Sequence, residues 1–129
     1  MEPRLYIVMR KDIPDMNPGK AMAQAAHAQA DFDAYLSSMT GTDNDDFWQA
    51  VSLWREDREF GTTLVLSATL EKMTIVNAVN DHCGMTVDPT YPWRNWYGEM
   101  FTSNETTCMW CFVYSDEEIE YMRQFDLHK

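Results

Sequence analysis

The chain alternates between short apolar runs and longer segments in which apolar positions recur every three or four residues. Arg4-Leu5-Tyr6-Ile7-Val8-Met9-Arg10 is apolar and β-prone between charged ends, the pattern of a strand buried on both faces. A turn-rich stretch holding Pro14 follows, from Lys11 to Asn17. Asn17 is a good N-cap and Pro18 a good first helical residue, so a helix is expected from Pro18 to about Met39. Met22, Ala25, Phe32 and Leu36, with Ala26 filling in, give its inner face, and Gly41 with the polar stretch Thr42 to Asp46 ends it. Phe47, Val51 and Trp54 predict a second helix from about Asp46 to Asp57. Gly61 breaks the chain ahead of a strand, Thr62 to Ala68. A third helix, about Leu70 to His82, places Met73, Val76 and Val79 inward, with Gly84 as its C-terminal stop. Met85 to Val87 reads as a brief strand, Asp88 to Gly98 as an aromatic loop punctuated by prolines, and Thr106 to Tyr114 as a long strand. Ser115 with Glu118 three residues on is a capping-box pattern, opening a final helix to about Phe125.

The resulting order, β-α-α-β-α-β-β-α, predicts an α/β fold: a three-layer α/β/α single domain over residues 1–129 with a four-stranded mixed sheet. A chain of 129 residues, 45% apolar and 24% charged, suits one ordinary globular domain and excludes a disordered tail or a low-complexity scaffold. No apolar run approaches the roughly 18 residues of a membrane span. Met1-Glu2-Pro3-Arg4 lacks the basic-then-apolar order of a secretory signal, so a cytoplasmic protein with no membrane partner is expected. The formal charge of −11 opposes general attraction to phosphate backbones. That charge is uneven: residues 1–30 carry Arg4, Arg10, Lys11 and Lys20 against Glu2, Asp12 and Asp15, a balance of +1 that leaves −12 for the rest. If the protein meets an anion, the amino-terminal third is where it would do so. Three cysteines suggest reduced thiols, and Cys108 and Cys111, three apart on a strand, point to opposite faces and chelate poorly as a pair. No cluster of metal ligands stands out, and no cofactor is expected.

Lys20, Gln24, His27 and Asp31 are spaced four, three and four residues apart, which sets them on one helical stripe. The stripe is either a solvated face with His27 pairing Asp31, or a site. A lysine in the first turn, beside Gly19 and unpaired backbone N–H groups, stands where anions are commonly held.

The run Leu5-Tyr6-Ile7-Val8-Met9-Arg10-Lys11-Asp12, followed by Met16-Asn17-Pro18-Gly19-Lys20-Ala21-Met22-Ala23-Gln24-Ala25-Ala26-His27-Ala28, resembles the opening of type-2 peptidyl-tRNA hydrolases. Weaker likeness continues through Trp54, Gly61, Thr63 to Ala68 and His82 to Val87, so that it spans residues 4 to about 125. The resemblance implies hydrolysis of the ester joining a peptide to the terminal ribose of tRNA, with the acceptor end of peptidyl-tRNA as partner and no metal or cofactor. On that pattern Lys20 faces the developing oxyanion or a phosphate, Gln24 orients water or the ester, and His27 exchanges protons or braces the site. Gly19, Arg10 and Lys11 are the expected contacts to substrate. Where the family has an acidic residue and a Gly-Arg-Thr-Gln-type turn, this chain has Pro92 within Tyr91-Pro92-Trp93-Arg94-Asn95-Trp96-Tyr97. Asp88, four residues early, is the best remaining carboxylate, and Thr106 or Thr107 supplies the hydroxyl that opens the last strand. Tyr91, Trp93, Trp96 and Tyr97 either stack on the terminal bases of tRNA, with Arg94 on phosphate, or cover a sheet edge or a homodimer contact. The alternative function is a catalytically altered relative that uses this aromatic segment, residues 89–97, to bind a tRNA end or a protein.

Overall fold

The computed structural model describes residues 2–39, 45–56 and 61–129. In chain order the elements are β1 (Arg4–Arg10), α1 (Pro18–Ser38), α2 (Asp45–Glu56), β2 (Thr63–Ala68), α3 (Leu70–Val79), β3 (Cys83–Arg94), β4 (Met100–Val113), α4 (Asp116–Met122) and β5 (Asp126–Leu127). The strands form one mixed sheet in the order β3-β4-β1-β2-β5. β1 pairs in parallel with β2 and antiparallel with β4, while β3 and β4 form an antiparallel hairpin.

The unbroken apolar run of β1 is explained by its central place: its side chains alternate into two cores. Leu5, Ile7 and Met9 join Cys108, Trp110 and Phe112 of β4 beneath α1 and α2. Tyr6 and Val8 join Met109, Cys111 and Val113 beneath Met73 and Val76 of α3 and Ile119 and Met122 of α4. The expected α/β architecture with helices on both faces is therefore present, with a fifth short strand, β5, added by pairing with β2.

Phe32 centres the first core. Its ring lies 5.1 Å from that of Trp110, 5.5 Å from Phe112 and 5.7 Å from Trp54. The Trp54 indole N–H donates to the Thr62 carbonyl at 2.8 Å. Gly61 is needed at that turn twice over. Its φ is +78°, and an added Cβ would lie 2.3 Å from the Trp54 ring.

Several expectations are corrected. α1 begins as read, with the Asn17 side chain accepting from the Lys20 N–H and Pro18 in the first turn, but its inward face is Ala21, Gln24, Ala28, Phe32 and Leu36. Met22 is 71% exposed and Ala26 is exposed, because small alanines at 21 and 28 allow the closest approach to the sheet. α3 stops at Val79 rather than His82, and Asn80 caps it by donating from its side chain to the Val76 carbonyl. Val79 consequently points outward. Gly84 lies in β3 rather than at a helix stop; there the Trp110 ring passes so close that a Cβ would sit 2.8 Å from its nitrogen. The brief third strand and the aromatic loop are together one arm of a hairpin, and β4 begins at Met100 rather than Thr106. Pro89 and Pro92 are tolerated within β3 because it is an edge strand, where a missing N–H breaks no ladder. α4 ends at Met122, short of Phe125. The expected stop at Gly41 and the second helix's end at Asp57 lie outside the described residues.

His82 is buried against the first core, its ring 4.0 Å from that of Phe47 and its Nδ1 2.7 Å from the Tyr35 hydroxyl. Burial holds its pKa below the ordinary 6.5, against the opposing pull of Asp81 and Glu118. Below pH 6.5 the unfolded chain therefore binds more protons than the native one, and stability falls as pH drops. Urea unfolding at pH 7.5 and 5.5 should show a loss from this residue of up to about 1.4 kcal/mol. His82→Gln, which keeps a partner for Tyr35, should remove that part of the pH dependence; an unchanged dependence would refute the assignment.

Candidate active site

Two irregularities in the β3–β4 ladder set the side chains that matter. Thr86 pairs with Cys108 but Val87 with Thr106, so Thr107 is an extra residue on β4. Asp88 pairs with Glu105 but Tyr91 with Ser103, so the second bulge adds a residue on β3. Bulges of this kind re-aim side chains locally. Here they turn Thr107 and Asp88 toward the same partner on α1.

That partner is Gln24, only 4% exposed. The Thr107 hydroxyl donates to Gln24 Oε1 at 2.6 Å, and Gln24 Nε2 donates to Asp88 Oδ2 at 2.8 Å. A carboxylate accepts only, so the amide orientation is fixed by its two neighbours. Asp88 Oδ1 accepts from the Thr90 N–H at 2.9 Å and from the Thr90 hydroxyl at 3.4 Å. Burial alone would raise the Asp88 pKa. The bonds from Thr90 and Gln24 and the nearby His27 outweigh it, so that the pKa lies below 3.8 and the group is ionised at neutral pH.

Lys20 stands one turn before Gln24 on the same side of α1. Its Nζ donates to the Pro92 carbonyl at 2.7 Å and lies 5.4 Å from the centre of the Tyr91 ring. Among the described residues no carboxylate lies within ion-pair distance of it. The ammonium thus meets a backbone oxygen at Pro92. Tyr91 is wholly buried, with its hydroxyl donating to the Pro14 carbonyl at 2.6 Å and burial raising its pKa to about 12. It is therefore a strut between β3 and the loop after β1, and is not available for stacking.

Asp31, the last member of the stripe, accepts from the Thr86 hydroxyl at 2.8 Å rather than from His27. His27 is exposed. The stripe thus meets β3 at Lys20, Gln24 and Asp31; Asp31, like His27, stays exposed, but Gln24 is buried rather than solvated and the expected His27–Asp31 pair is not formed. Nothing steric reserves position 19 for glycine, since an added Cβ would meet only Asn17 Oδ1, at 3.5 Å. Arg10 is committed to neighbours, with Asp12 at 2.8 Å, Glu105 at 3.1 Å and the Thr106 carbonyl at 3.2 Å.

Lys11 is exposed and lines two adjoining clefts of about 320 and 260 Å³ at the carboxyl ends of β1 and β2. Lys72 and Lys129 line them as well, so three of the chain's four lysines gather there. Trp93 lies along the hairpin, stacked on Phe101 at 5.1 Å, with its indole N–H donating to the Ser103 hydroxyl. The Arg94 guanidinium donates to the Gly98 carbonyl. Trp96, 90% exposed, and Tyr97 stand out at the hairpin end.

Sequence reasoning missed the bonds of Thr86 and Thr90 and the carbonyl at Pro92. Both threonines lie on β3, and the bulges beside them have no signature in residue type. Chemically, the arrangement offers an ionised carboxylate that can hold a water, a fixed amide beside it, and an ammonium one helical turn away. Among the described residues no group of three or more His, Cys, Asp or Glu is placed to hold a metal ion, and no helix is long and apolar enough to cross a membrane.

No curated protein matches the chain. Residues 4–124 match the family model described as Peptidyl-tRNA hydrolase PTH2. With nearly the whole chain covered, the protein belongs to the PTH2 peptidyl-tRNA hydrolase family.

Proposed function

We propose that the protein hydrolyses the ester between a peptide, or an N-blocked amino acid, and the terminal ribose of tRNA. The observation that carries this reading is the chain Thr107–Gln24–Asp88, set one turn from the Lys20 ammonium in a member of this family. Asp88 holds the attacking water against the carbonyl carbon; its lowered pKa suits orientation more than strong proton abstraction. Gln24 fixes that carboxylate and Thr107 fixes Gln24. Lys20 has three N–H donors and spends one on Pro92, leaving two for the oxyanion that forms as water adds. When the tetrahedral intermediate collapses, its bond to the ribose oxygen breaks, and that oxygen takes up the proton given up by the attacking water, passed through solvent beside the exposed His27.

Binding of the RNA is assigned to two surfaces. Lys11, with Lys72 and Lys129 in the same clefts, meets backbone phosphates against the general acidity of the protein. Trp96 at the hairpin end stacks on an unpaired terminal base, with Trp93 and Arg94 supporting that arm. The exposure of Trp96 and Tyr97 also favours a second reading, a non-catalytic module that grips a tRNA end or a protein through the hairpin.

Purified protein should release the blocked amino acid from N-acetyl-aminoacyl-tRNA. Lys20→Ala should lower kcat/KM by about a hundredfold or more, and Asp88→Asn should act in the same direction. Protonation of Asp88 should contribute no loss of rate between pH 7 and 5, since its pKa lies below 3.8. Turnover that is indifferent to Lys20→Ala would refute this site.

Trp96→Ala should raise KM for tRNA substrate about tenfold, the worth of one stacked base. Absent turnover together with tRNA binding that weakens in Trp96→Ala would establish the second reading in place of the first.

A further inference from the structure

The three cysteines do not share one environment. Cys108 lies in the first core, with its thiol donating to the Gln24 carbonyl at 3.3 Å and burial raising its pKa to about 11. Cys111, three residues on, faces the opposite core, and Cys83 packs against that same core. Cys83 and Cys111 are direct partners across the β3–β4 ladder.

The kind of pairing matters. The Phe112 N–H donates to the His82 carbonyl at 2.9 Å, so His82 and Phe112 form a hydrogen-bonded pair. In an antiparallel ladder the next pair inward, Cys83 with Cys111, is then a non-hydrogen-bonded one. Such pairs hold their Cα atoms about 4.5 Å apart with side chains drawn together, within the roughly 4.4–6.8 Å range that a disulfide spans.

We propose that Cys83 and Cys111 are an oxidative modification site: a peroxide converts them to a cross-strand disulfide at the root of the β3–β4 hairpin. Cys83 is the half-exposed partner and Cys111 the buried one. The Cys83 thiolate attacks a peroxide oxygen; the O–O bond breaks, hydroxide (for hydrogen peroxide) leaves, and Cys83 becomes the sulfenic acid. The Cys111 sulfur then attacks the Cys83 sulfur; the S–S bond forms, the S–O bond breaks, and the hydroxyl leaves as water with the Cys111 proton. In sum two thiols are oxidised by two electrons, one peroxide is reduced, and two waters result.

Exposure assigns the order of events, since an oxidant reaches Cys83 and not the buried Cys111, and the electrostatics run the same way. A hydrogen bond from the Cys111 thiol draws the Cys83 pKa below its ordinary 9.0, despite burial and the neighbouring Asp81 and Glu118. The same bond, together with burial, pushes the Cys111 thiol up. Cys83 is thus the thiol that meets the oxidant, and Cys111 the one that resolves it. An accessible cysteine that reacts first, beside a buried partner that resolves it, is the usual arrangement of a peroxide-responsive pair.

The test is to treat the folded full-length chain with hydrogen peroxide, alkylate the remaining thiols and map the peptides by mass spectrometry. The proposal expects a cross-linked pair of peptides holding Cys83 and Cys111, about 2 Da lighter than the two free thiols and reversed by dithiothreitol. Cys108→Ser should leave this cross-link in place, and Cys111→Ser should accumulate a Cys83 sulfenic acid that dimedone traps. Cys83 stopping at a sulfenic or higher acid in the unsubstituted chain, a bridge that involves Cys108, or two thiols that survive peroxide unchanged would each overturn it. Because the mapping is done on the unsubstituted chain, the outcome does not depend on any variant folding, nor on the protein's turnover of tRNA.

Discussion

A neutral amide with 4% of its surface exposed holds helix and hairpin in register. Gln24 can be buried only if both ends of its amide are satisfied, and the two groups that satisfy them come from opposite arms of the β3–β4 hairpin. That requirement explains why α1 carries small alanines at its contact face, why β4 spares a residue at Thr107, and why Asp88 faces inward despite its charge. An unsatisfied amide at this depth would cost roughly 1–3 kcal/mol. The hydrogen-bond requirement and the packing requirement therefore select the same geometry.

Much of the fold was legible in the chain itself. β1 announced its central position by an apolar run without alternation, and Asn17-Pro18 marked the start of α1 to the residue. The inner faces of α2 and α3 followed Phe47, Val51, Trp54, Met73 and Val76. What was not legible depends on long-range partners. Met22 against Ala21 is a choice between a large and a small apolar residue one position apart, and it is made by how closely the sheet approaches. Gly84 reads as a helix stop locally, and only the distant Trp110 ring explains it. The hairpin was obscured by prolines and aromatics that suggest a loop until β3 is known to lie at an edge.

The same division holds for the site. The stripe Lys20, Gln24, His27 and Asp31 could be read from helical periodicity, and so could the candidacy of Asp88 and Thr107. Which members of the stripe are held and which are free could not. Gln24 and Asp31 are engaged by β3 and β4, whereas His27 remains at the surface. Tyr91 and Trp96 belong to one aromatic segment by composition, yet one is a buried strut and the other almost fully exposed. Strand pleating and two bulges decide between those fates, and neither leaves a mark in residue type.

The placement of prolines 89 and 92 in the edge strand has a further consequence. A free sheet edge is an invitation for a foreign strand to zip on through main-chain hydrogen bonds, the route to runaway stacking as well as to peptide capture. β3 interrupts that template at two positions where no N–H exists to be shared. Along the segment from Pro89 to Pro92 a partner therefore meets rings and charges more readily than a continuous strand edge.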